Sequence, residues 1–204
     1  LGGIYSGWFT PIEAGAIGEL WSFQATWITS TAAARGTGNW FFDAEIAGGG
    51  MLYWLGCHWL DQLKFVTGRR VEAVSAMVRS CDPDITVEDL ACLNLRVEGG
   101  AIGSLRVGYL RALYEGGYSE SDLMTAYEGS RGAITQLAGK TSRVRLQTRA
   151  EGFWYHGEKR EMEFEITHAG YATALLTDFL HAARDRRVPL LTADDALYVL
   201  RVAE

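Results

Sequence analysis

Cysteine is scarce in this chain: Cys57, Cys81 and Cys92 are an odd number and form no Cys-x-x-Cys pair. Neither a disulfide framework nor a structural zinc site is indicated, and the three thiols are expected to be reduced and partly buried. Basic clusters are missing too. The 19 Lys and Arg are scattered over 204 residues with a net charge of -6, which leaves no electropositive field for nucleic acid. No apolar run approaches the ~20 residues of a membrane-spanning helix, and the N-terminus lacks the charged start and small-residue cleavage pattern of a secretory signal. A cytoplasmic protein with neither nucleic acid nor membrane as partner is expected. The chain also lacks Gly-x-Gly-x-x-Gly between a strand and a helix, a phosphate-binding loop and a nucleophile elbow. Gly36-Thr37-Gly38 runs on into Asn39, Trp40 and Phe41, and Gly48-Gly49-Gly50 has no strand before it. His156, His168 and His181 have no partners at metal-ligand spacing, so no metal site is assigned.

What is present suffices for a full core. With 48% hydrophobic residues the length suggests one domain, two at most. Glu13 to Gly18 reads as a helix end and a glycine turn. From Glu19 to Thr29, Trp21, Phe23, Ala25 and Trp27 alternate with Ser22, Gln24 and Thr26, the pattern of a half-buried strand. Thr29 to Gly50 shows no sustained period and reads as a long loop holding Trp40-Phe41-Phe42-Asp43. Leu52, Leu55, Trp59, Leu63 and Val66 fall at helical spacing, which predicts a helix from Met51 to Thr67 stopped by Gly68.

Strands are then predicted at Val71 to Arg79, Leu90 to Glu98, Ala101 to Arg111 and Leu123 to Glu128, with Gly99-Gly100 as a two-residue hairpin turn. Shorter ones follow at Gly132 to Gln136, Ser142 to Thr148 and Arg160 to Thr167, the last with Glu161, Glu163 and Glu165 on a solvated face. Helices return at Tyr171 to Asp185 and Asp194 to Arg201, with Thr192 as N-cap of the second. Strands in succession with segregated helices define an α+β domain: an open, predominantly antiparallel mixed sheet with helices packed on one face. Both ends read as cut, since residue 1 is Leu and the pattern of Thr192 to Glu204 shows no stop signal.

His58 is the candidate acid/base. Its stripe holds Trp54 at i-4, Asp61 at i+3 and Gln62 at i+4, and a carboxylate there would fix the tautomer and raise the imidazole pKa. A helix histidine satisfied by Asp61 or a carbonyl fits the same residues. Trp40, Phe42 and Asp43 suit a sugar or polyol pocket, and equally a loop anchored by core aromatics.

The run Ala47 to Leu63 resembles the C-terminal domain of the Gfo/Idh/MocA family of NAD(P)-dependent oxidoreductases. The family's glycine triplet, histidine and following aspartate are matched by Gly48-Gly49-Gly50, His58 and Asp61. Ile12 to Glu19 resembles the family's interdomain junction, and Trp40 to Asp43 its segment before the glycines. Glu128 to Ala133 is similar to its late strand-turn signature, and the last two helical segments to its closing helices. The resemblance implies that residues 1–15 are a junction remnant and 16–204 a substrate-binding and oligomerisation domain, truncated at the C-terminus.

It further implies NAD or NADP held by an N-terminal Rossmann domain of the same polypeptide, with none bound to this fragment. A sugar or polyol substrate and a homo-oligomer built through the sheet are implied as well. His58 takes the catalytic role, and Trp40, Asp43, Trp54, Asp61 and Tyr171 line the substrate site. One departure stands out: Trp54 occupies the position of the family's catalytic Asp, and an indole cannot accept a proton. A non-catalytic sugar-binding or assembly subunit of the same fold is therefore the alternative. A third reading makes the domain chiefly a builder of oligomers, with a vestigial pocket.

Overall fold

A computed structural model describes residues 15–109, 121–138, 141–150, 159–165 and 168–204. β1 (Leu20–Thr29) is followed by α1 (Thr31–Arg35), a 3-10 turn (Trp40–Phe42) and α2 (Ala44–Ala47). A π-helical turn (Leu52–Gly56) then leads into α3 (Cys57–Thr67). The strands β2 (Val71–Arg79), β3 (Leu90–Val97), β4 (Ile102–Gly108), β5 (Ser121–Gly129), β6 (Gly132–Ala138), β7 (Thr141–Thr148) and β8 (Lys159–Glu165) come next. α4 (His168–Asp185) and α5 (Ala193–Ala203) close the chain.

All eight strands form one sheet in the order β2-β3-β4-β1-β5-β6-β7-β8. Every pairing is antiparallel except β1 with β4, where Phe23 lies opposite Gly103 and Trp27 opposite Val107. The fold is thus the α+β architecture expected, with two antiparallel meanders joined through β1. Because side chains alternate along a strand, one face collects Phe23, Ala25, Leu93, Leu95, Leu105, Val107, Tyr127 and Ile134, all buried. On that face lies α3, which buries Trp59, Leu60, Leu63 and Val66 at helical spacing. Lys64 of α3 forms an ion pair with Asp195 of α5, and the same aspartate completes a capping box with Thr192. The opposite face mixes small and polar groups with exposed Met77 and Ile102; a groove of 780 Å³ there is lined by Ser22, Gln24, Ser75, Asn94, Ile102 and Ser104.

Several expectations are corrected. Thr29–Gly50 is three short helical turns rather than a loop. Asn39 Oδ1 accepts from Phe41 N–H (3.1 Å) and Asp43 Oδ1 from Glu45 N–H (2.9 Å), so the second and third turns are each started by a side-chain cap, and all three are too short to show a period. The helix from Met51 opens with a π turn, in which Cys57 N–H reaches back to Leu52 C=O. The hairpin loop spans Glu98, Gly99 and Gly100, one residue longer than expected. Val97 N–H bonds Ala101 C=O at 2.8 Å, and both glycines have positive φ. Trp21 is 58% exposed instead of sharing the buried face of Phe23, because the register with β5 shifts between Leu20 and Ser22. Cys81 and Cys92 are exposed; only Cys57 is partly buried.

Strand β4 ends at Gly108 rather than continuing through Tyr109, and Leu110 and Arg111 lie outside the described residues. So do residues 1–14 of the expected junction, His156, and the side chains of Glu161, Glu163, Glu165 and Tyr171.

Candidate functional site

Two caps and one close approach shape the segment before α3. The Asn39 and Asp43 caps fold Trp40, Phe41 and Phe42 into a tight turn. Trp40 is left 49% exposed, while Phe41 and Phe42 are buried. Trp54, 38% exposed, meets Trp40 edge-to-face (ring centroids 6.0 Å) and tilts against Phe41 (5.1 Å). Tyr109 supports this wall from behind, 5.9 Å from Phe41 and 5.4 Å from Phe42. The Arg35 guanidinium lies over the Phe41 ring at 4.8 Å.

The glycine triplet has a different task at each position. Gly48 takes a left-handed φ of 75° to end α2. At Gly50 any side chain would collide with the Glu88 carbonyl, since a Cβ would sit 1.9 Å from that oxygen. The approach is used. Gly50 N–H donates to Glu88 Oε2 (2.9 Å), Leu52 N–H to Oε1 (3.1 Å), and Met51 N–H to the Glu88 carbonyl (3.0 Å). These are the amides a dinucleotide pyrophosphate would require at a helix N-terminus, and a carboxylate already takes them.

His58 sits in the first turn of α3, half-buried, its ring 6.5 Å from that of Trp27 on β1. Burial pushes its pKa down to about 4 from 6.5. The shift runs opposite to the rise expected from Asp61, because desolvation of the imidazolium sets its direction. Burial also pushes the Cys57 thiol up to about 11, with the Asp61 charge adding to the effect. Near neutral pH, therefore, the imidazole and thiol are both uncharged. A neutral imidazole is donor at one nitrogen and acceptor at the other, as exchange of a hydroxyl proton requires.

The structure thus brings Trp40 and Trp54 together and sets His58 against Trp27. Asp43 is committed to capping α2, and Asp61 is half-buried on α3 beside Cys57. Tyr171 belongs to α4, its side chain outside the described residues. Sequence reasoning missed Phe41, Tyr109, Trp27 and Glu88. Only Glu88 left a trace, in that a glycine directly before a helix marks a place where another backbone comes close. No described group of three or more His, Cys, Asp or Glu could hold a metal ion.

The site helix, with His58 against Trp27 and Trp54 against the Trp40 turn, is laid on a mixed sheet. The family model of the GFO/IDH/MocA C-terminal domain matches residues 11–135, and the chain belongs to that family. Solved structures share the fold. Levoglucosan dehydrogenase in complex with NADH and levoglucosan superposes with a TM-score of 0.76 at 19% identity, covering 97% of this chain and 59% of that one. An oxidoreductase domain protein from Kribbella flavida gives 0.76 at 19%, covering 98% and 59%. The aldose-aldose oxidoreductase from Caulobacter crescentus, complexed with glycerol, gives 0.72 at 21%, covering 97% and 57%. This chain therefore spans less than two thirds of each of those proteins. No curated protein sequence matches it.

Proposed function

We propose that the full-length protein is an NAD(P)-dependent oxidoreductase acting on a sugar, polyol or related small hydroxy compound, and that this chain is its substrate domain. The observation that carries the reading is His58: a desolvated, neutral imidazole on the site helix of a Gfo/Idh/MocA C-terminal domain. Bound to a Rossmann domain on the N-terminal side of this chain, the nicotinamide supplies the hydride acceptor. The steps of this chain are those of the substrate. Trp40 and Trp54 offer exposed ring faces to the C–H surface of a sugar. His58 accepts the hydroxyl proton on its free ring nitrogen as the carbinol becomes a carbonyl, and the imidazolium so formed returns the proton to solvent. Asp61 and Tyr171 complete the proposed wall; Asp43 acts through the turn it caps.

The substrate class is supported by the fold relatives, which include proteins solved with levoglucosan and with glycerol. Assembly through the open sheet face is supported by Met77 and Ile102, 82% and 66% exposed there. A cytoplasmic location is supported by three free cysteines. No described helix is long and apolar enough to cross a membrane.

The test is turnover by the full-length protein with NAD and NADP against levoglucosan, glucose, myo-inositol and glycerol. His58→Ala should lower kcat/KM on the substrate found by about 100-fold. Unchanged turnover would remove the histidine from the mechanism.

Trp54 favours a second reading, a non-catalytic sugar-binding or assembly subunit, because an indole exchanges no proton. Upstream sequence discriminates: Gly-x-Gly-x-x-Gly followed by Glu-Lys-Pro supports the enzyme, and a start codon close to Leu1 the subunit.

A further inference from the structure

The first amides of any helix lack internal partners, and the site helix has a further weakness: its opening is a π turn. Through the π turn Leu52–Gly56, Trp54 N–H bonds back to Gly50 C=O at 3.1 Å, so the direction of Trp54 depends on how the start of the helix is held. One residue holds it. Glu88 takes three consecutive amide protons, two on its carboxylate oxygens and one on its carbonyl, and it arrives from 38 residues beyond Gly50. A carboxylate suits the positive end of the helix dipole, and its two oxygens serve two N–H groups at once. An amide of the same shape would serve one and turn its NH2 against the other.

The loop that delivers Glu88 is itself fixed. Asp89, 1% exposed, accepts from Cys81 N–H and Asp82 N–H, both at 2.8 Å, and its carbonyl accepts from Tyr109 N–H at 2.8 Å. Two residues earlier in the chain than Glu88, Thr86 takes Ala44 N–H on its hydroxyl (2.9 Å) and donates its own N–H to Phe42 C=O (3.1 Å). The same short loop thereby sets the helix bearing Trp54 and the turn bearing Trp40.

We propose that Glu88 is a positioning residue of the site: its carboxylate clamps the first turn of the site helix and thereby fixes Trp54 and His58 relative to the Trp40 turn. The proposal rests on the reading of His58 as the group that handles the substrate proton, but its test needs neither substrate nor cofactor.

In the full-length protein, amide exchange of residues 50–52 and the NMR titration of 15N-labelled His58 are compared among wild type, Glu88→Gln, Glu88→Ala and Lys64→Met. The last variant breaks the ion pair at the far end of α3. In wild type the three amides should exchange slowly although they open a helix. In Glu88→Gln they should exchange at least about tenfold faster, the loss expected for one charge-assisted bond. The His58 midpoint should climb toward 6.5 in both Glu88 variants and stay in place in Lys64→Met. Fast exchange of these amides in wild type would overturn the proposal without any variant having to fold. A Glu88→Gln protein with wild-type exchange and titration would overturn it too, as would a Lys64→Met protein reproducing both shifts.

Discussion

Trp54 and His58 lie four residues apart, yet they occupy unlike environments. The indole is more than a third exposed and rests on Trp40 and Phe41; the imidazole is half-buried against Trp27 and held neutral by desolvation. On an uninterrupted α-helix, residues four apart share a face. Here a π turn intervenes, and the two side chains are assigned to different neighbours. The comparison separates two tasks within one motif: a surface that meets a substrate's carbon skeleton, and a seat that controls where a proton can reside.

The sharpest way to break this arrangement is Gly50→Ala. Its methyl group would meet backbone, not a movable side chain, so the Glu88 contact must open and both residues lose their anchor. A loss of about 3–4 kcal/mol in denaturant unfolding is expected, from overpacking together with lost hydrogen bonds. Stability within about 1 kcal/mol of wild type would show that the approach is slack.

The next effect concerns only the imidazole. Its folded pKa lies below its unfolded value, so the folded state resists protonation. The stability it contributes is complete above pH 6.5 and is lost as pH falls through about 4. The loss across that window should be on the order of 2–3 kcal/mol. In His58→Phe this part of the pH dependence should vanish, and a variant with the wild-type slope would place the acid sensitivity elsewhere.

Smallest for stability, and most telling for the division of tasks, is Trp54→Leu. Loss of its ring contacts should cost about 1 kcal/mol. In steady-state kinetics of the full-length enzyme it should raise KM about tenfold with little change in kcat, since stacking on a ring face is binding uniform between ground and transition states. A fall in kcat with unchanged KM would put Trp54 in the chemical step and erase the distinction.

Much of the fold was legible in sequence because its signals are local. The alternation of Phe23 and Ala25 with Ser22 and Gln24 marks β1, the spacing of Trp59, Leu63 and Val66 marks α3, and Thr192 before two aspartates marks the cap of α5. What could not be read is pairing at a distance. Gly50 hints that some backbone comes close, but residue types do not say that it is Glu88, or that β1 runs parallel to β4, for each depends on segments tens of residues apart. The pKa of His58 was misjudged for a related reason. Asp61 is visible three residues along the chain, whereas the burial that lowers the pKa arises where α3 packs on the sheet beside Trp27.

The position of β1 has a consequence for how the molecule forms. β2 to β4 and β5 to β8 are antiparallel meanders of sequence neighbours, each able to zip with short loop closures, whereas β1 finds its partners only in β4 and β5. Of the described strands, the first in the chain is thus the keystone seated last, and until then its apolar face, with Phe23 and Trp27, has nothing to lie against. In pulse-labelled hydrogen exchange during refolding, the β1 amides should gain protection after those of the β2–β3 and β6–β7 pairs.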